Sequence, residues 1–148
     1  MKALVRIIIG LIFGGICALA LSPAFAAFHS EGSSMAAIVT FGTIGIVAVA
    51  TFLAPSIRRA FGRGFLLAGL SLLFLPISAF FLAGRAFNET VSATQGSDQA
   101  FAAIGAGAGA ALVTGAATFF GLVLGTIFVI IGLVFALGGQ REVVIVQR

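Results

Sequence analysis

From Phe101 to Gly138 the chain runs for 38 residues without a charge. As a helix this stretch would be about 57 Å long, nearly twice a hydrocarbon core of roughly 30 Å. A soluble domain would have to bury such a segment completely, and a chain of 148 residues has too little protein to do so. Small residues recur along the stretch at helical spacing. Gly107, Ala111, Gly115 and Thr118 fall on or near one line, and Gly121, Gly125, Gly132 and Ala136 continue it. In lipid, association of helices depends on close backbone approach, so this line is expected to be a helix-packing face.

The remainder of the chain has the same character. It is 61% hydrophobic and 8% charged, whereas soluble domains carry about a quarter charged residues. The expected fold class is all-α, an integral membrane bundle of four transmembrane helices with a long Gly/Ala-rich last helix. One domain is expected over residues 1–148, with spans at about 3–26, 35–54, 64–84 and 101–138. The formal charge of +4 comes from basic residues scattered between apolar runs. They offer no continuous basic face, so nucleic acid is not an expected partner. Cys17 is the single cysteine, which rules out an internal disulfide and a thiolate metal cluster.

Two readings fit the first segment. Lys2 and Arg6, an apolar run to Leu21, and Ala24 and Ala26 match a cleavable secretory signal ending after Ala26. Residues 3–21 are also just long enough to span a membrane, and Gly10 with Gly14 makes a close-packing pair that a discarded signal would not need, which favours a retained helix. Ser33 or Ser34 is placed to cap the next helix, Met35 to Ala54. A turn over Pro55 to Gly64 then gathers Arg58, Arg59 and Arg63, and Phe65 to Gly84 makes a further crossing. In its middle Pro76 removes one backbone bond and is expected to kink the helix, with Ser71 or Ser78 helping to satisfy the freed carbonyl.

Arg85 to Ala100 is the longest polar stretch, and Ser97 with Asp98 reads as the start of the last helix. Gly105, Gly107 and Gly109 lower helix propensity by nearly 1 kcal/mol each. The crossing is therefore expected mainly over Ala111 to Leu137, with the glycine-rich part a packed extension or a kink. The alternation of these glycines with alanine and isoleucine resembles the packing repeats of the rotor-ring proteolipids of ATP synthases. The membrane carboxylate of that family is absent here, so its proton chemistry does not carry over. Gly138 and Gly139 stop the helix, and Val143 to Val146 reads as strand-like or interfacial.

Basic residues set orientation. In a four-span arrangement Lys2, Arg6, Arg58, Arg59, Arg63, Arg141 and Arg148 share one side, and Arg85 alone is on the other. By the positive-inside rule both termini are expected in the cytoplasm, in a membrane of the bacterial inner type. His29, Glu31, Glu89 and Asp98 then face the opposite compartment.

No carboxylate, Lys or His, and no Arg beyond Arg6 at the edge, falls within an expected span, which argues against a proton relay, a proton-coupled carrier or a voltage sensor. His29 and Glu31 fall short of the three or four ligands a metal site needs. Neither a catalytic set nor a cofactor is expected. Arg58, Arg59 and Arg63 read first as topology signals. Contact with an anionic lipid or an acidic partner is the alternative, three charges being fewer than the four to eight of typical lipid-reading clusters. The expected function is that of a non-enzymatic accessory or assembly subunit, docking to other membrane subunits or to its own copies within the lipid. The alternative is a small homo-oligomeric channel or transporter, with Thr40, Thr43, Thr51, Thr114, Thr118 and Thr126 lining a path.

Overall fold

A computed structural model describes residues 2–28, 35–94, 96 and 98–138. Five α-helices make up the described part, with no strand among those residues: α1 (Lys2–Phe28), α2 (Met35–Phe52), α3 (Ile57–Leu73), α4 (Leu75–Ala93) and α5 (Asp98–Leu137). Among the described residues, three helical stretches are long and apolar enough to cross a membrane: Ala3–Ala27, Ile57–Ala93 and Asp98–Leu137. The apolar part of α2, Ala37–Phe52, is shorter. These properties are those of a membrane protein. The proposed cap of α2 at Ser33 or Ser34, the pair His29 and Glu31, Ser97 and the Val143–Val146 tail lie outside the described residues.

The helices run further than hydropathy suggests, and local chemistry accounts for each extension. Pro23 lacks the N–H that would bond to Leu19, yet α1 continues past it. The Ser22 hydroxyl donates to the Leu19 carbonyl at 2.8 Å and so satisfies the group that proline frees. At Pro55 to Gly64 the expected turn is instead mostly helix. Ser56 is the N-cap of α3, its hydroxyl accepting from the Arg59 N–H at 3.3 Å, so Arg58, Arg59 and Arg63 all lie on helix. The polar stretch after Arg85 is also helical, through Ala93. Gly96, at φ +80°, supplies the left-handed residue that turns the chain into α5.

The expected kink at Pro76 is a break at Phe74, where α3 ends and α4 begins. Proline then occupies the first turn of α4, where its missing N–H costs little. Ser71 and Ser78 donate within their own turns, to Leu67 O at 3.0 Å and to Phe74 O at 2.8 Å. The Leu72 carbonyl, four residues before the proline, faces the backbone of Gly121. A Cβ there would lie 2.7 Å from that oxygen and 2.9 Å from the proline ring.

α5 is a single uninterrupted helix, about 60 Å long, with Asp98 in the first turn where the helix dipole favours a carboxylate. It lies against α3 and α4, while α1 packs on α2, α3 and α4. The core gathers Ile9, Phe13 and Cys17 of α1, Val47 of α2 and Ala68 of α3. Phenylalanine joins three helices through it: the Phe65 ring lies 4.7 Å from Phe13, 5.3 Å from Phe128 and 6.4 Å from Phe135. Gly10 fits α1 against Ala48 and the buried Thr51, and Gly14 fits it against Ile44.

Candidate docking surface

Two glycine pairs hold α5 to α3. Gly132 meets Gly62, and Gly125 meets Gly69: a Cβ on Gly132 would stand 3.0 Å from Gly62 O and 2.7 Å from Leu66 N, and one on Gly69 would stand 2.9 Å from Gly125 O. Each pair is separated by seven residues on its own helix, in opposite order, as antiparallel helices in register require. Two backbones this close leave no room for side chains. The close-packing pair Gly10 and Gly14 of α1 serves α2, and nothing lies within 4 Å of a Cβ at Gly42 or Gly45 of α2.

The line of small residues on α5 is therefore divided. Gly121, Gly125 and Gly132 are buried against α3 and the start of α4, and Ala136 backs onto Gly62. Above Gly121 the helices are less closely fitted. Ala111, Gly115 and Thr118 line an open groove of about 720 Å³ facing Phe80, Ala83 and Phe87 of α4. A Cβ at Gly107 would meet only the Phe87 ring, at 3.8 Å. Thr118 donates to Thr114 O at 2.7 Å, so its hydroxyl is paired within its own helix. A smaller groove of about 280 Å³ opens beside Ala86, Thr90, Ala106 and Gly109.

The sequence line omitted Gly105 and Gly109. These glycines are one turn apart, Gly109 at the edge of the smaller groove, and nothing lies within 4 Å of a Cβ at either. Ile104 and Leu112 beside them are 71% and 75% exposed. Their i, i+4 spacing was a signal available in the sequence, masked by the denser alternation around it. The six threonines offered as a path do not share one place. Thr51 is buried at the α1–α2 contact, Thr114 and Thr118 line the α4–α5 groove, and Thr126 is exposed.

Arg85 and Arg63 reach the ends of neighbouring helices. Arg85 donates from Nη1 to Ala26 O at 3.1 Å and Ala27 O at 3.4 Å, and from Nε to Glu89 at 2.6 Å. It thus meets the orphan carbonyls and the negative dipole end of α1. At the other end of the molecule Arg63 donates to Ala50 O of α2 at 3.1 Å, and Arg6 to Pro55 O at 2.8 Å. Arg58 lies over the Phe135 ring, 5.9 Å from its centroid, beside Gly138. Replacing Arg85 by glutamine is expected to cost about 1.5 kcal/mol and to speed amide exchange in the last turn of α1. Glu89→Gln, removing an exposed i, i+4 partner, is expected to cost no more than about 0.5 kcal/mol.

No group of three or more His, Cys, Asp or Glu side chains that could hold a metal occurs among the described residues. No protein-family model matches the chain, and comparison with curated proteins and with solved structures gave no match.

Proposed function

We propose that this chain is a non-enzymatic accessory or assembly subunit of a larger membrane complex, docking through the upper half of α5 and the adjoining face of α4. One observation carries the reading: the small-residue surface of α5 is spent on α3 below Gly121 and left open above it. Close backbone approach is the main device by which helices associate in lipid. An open surface of that kind favours another helix as its occupant.

The reading includes four spans, formed by α1, α2, the α3–α4 rod and α5. Residues 64–84, between Arg63 and Arg85, carry no charge and measure about 32 Å as helix, close to the roughly 30 Å hydrocarbon thickness. At about 27 Å, α2 nearly matches it. With the arginine-rich end in the cytoplasm, both termini lie there, and a bacterial inner membrane is the location we assign. Ala86 to Ala93 of α4 would then project about 12 Å beyond the Arg85 level on the far side, together with the start of α5.

Extraction in mild detergent followed by native mass spectrometry tests the proposal. A heterologous polypeptide at fixed stoichiometry is expected, and Gly109→Leu with Gly115→Leu should release it while leaving the isolated chain folded. Recovery as a monomer under every condition would overturn the reading. Recovery as a ring of identical copies would favour the channel alternative, for which liposome flux altered by Thr118→Val is the required sign.

A further inference from the structure

A separate groove lies at the arginine end, away from the surface proposed for docking. α2 packs chiefly on α1, and α3 chiefly on α5, so the two helices part and leave a groove of about 390 Å³ lined by Ala50, Arg63, Leu66, Leu67 and Leu70. On α3, Arg59, Arg63, Leu66, Leu67 and Leu70 fall within one stripe roughly 100° wide. The stripe starts with two exposed guanidinium groups one turn apart and continues as leucine toward the middle of the bundle. Arg63 gives one N–H to Ala50 O and keeps others free to donate. Arg59 has no side-chain partner among the described residues, and the described carboxylates, Glu89 and Asp98, belong to the opposite end.

From this geometry we infer a binding site for one anionic phospholipid, with its phosphate between Arg59 and Arg63 and an acyl chain along Leu66, Leu67 and Leu70. Charge complementarity selects the headgroup, and the apolar groove running inward from it selects a lipid over a free anion. Arg58 takes no part, because it lies over Phe135 on α5. The site is independent of the docking surface, and each can fail without the other.

Native mass spectrometry of the full chain, titrated in detergent with phosphatidylglycerol or phosphatidylcholine, provides the test. Phosphatidylglycerol should bind at least fivefold more tightly. Arg59→Gln should weaken it about fivefold and leave phosphatidylcholine unchanged, in line with the worth of one surface arginine against an anionic lipid. Arg58→Gln should change neither. Leu70→Trp, at a half-exposed position, should block the groove and weaken phosphatidylglycerol with both arginines in place. Equal binding of the two lipids, or full phosphatidylglycerol affinity in Arg59→Gln or in Leu70→Trp, would overturn the site. Arg59→Gln removes no hydrogen bond made by a side chain among the described residues, so its melting curve should match that of the parent chain.

Discussion

Replacing Gly132 by alanine, a change of one methyl group, is expected to destabilise the fold by about 1–3 kcal/mol. The new Cβ would stand 2.7 Å from Leu66 N and 3.0 Å from Gly62 O, and both are backbone atoms that move only if the α3 and α5 axes separate. Separation would also loosen the Gly69–Gly125 contact one heptad away, because the two pairs share the same axes. Alanine is nevertheless the better helix former by nearly 1 kcal/mol, so propensity and packing oppose each other here, and packing wins. At Gly109, where nothing lies within 4 Å of a Cβ, only propensity acts, and Gly109→Ala is expected to be neutral or stabilising. Unfolding by SDS in mixed micelles, followed by far-UV circular dichroism, compares the two variants directly. Losses of equal size would contradict the assignment of Gly132 to an internal contact.

Phe65→Ala, at a partly buried position packed on the core, is expected to cost about 3 kcal/mol. Its ring touches Phe13 of α1 and Phe128 and Phe135 of α5, so its removal deletes contacts across three helices. Lipid chains are as apolar as the core, and the loss is therefore one of van der Waals contact and not of burial from water. That places it near the lower end of values seen for Phe→Ala in soluble cores. Phe41→Ala is the control: this side chain is 73% exposed, and its removal should shift the same unfolding curve little. A comparable shift for both would mean that the phenylalanines act only through general apolarity.

Much of the architecture was legible in the sequence because charge and apolar length are strong signals in a chain this hydrophobic. The all-helical class and the length of the last helix followed from the uncharged run Phe101 to Gly138. Helix bounds were less legible. Ser22 rescuing the carbonyl freed by Pro23, and Ser56 capping α3 ahead of three arginines, are effects of single hydrogen bonds that average hydropathy does not register. The break before Pro76 was anticipated as a kink at the proline itself. It falls at Phe74 because proline is best tolerated in a first helical turn. At the candidate surface, small residues marked one face of α5 but not which half of it was occupied. That depended on Gly62 and Gly69, hidden in a segment read as a turn and the start of a span. Their seven-residue spacing, matched by Gly125 and Gly132, was the available clue. Gly105 and Gly109 escaped for a different reason: alternating glycine and alanine place a small residue on every face, and only the fold shows which face is bare.

On the proposed reading, the upper half of α5 meets another protein while its lower outer face meets lipid. Photo-crosslinking in native membranes tests it most directly, with the reactive side chain placed in the full chain at position 109 or 115, and at 127 or 134 for comparison. The first two positions should yield one discrete protein adduct of reproducible mass, and the last two should yield lipid adducts alone. Lipid adducts alone at positions 109 and 115 would contradict the account.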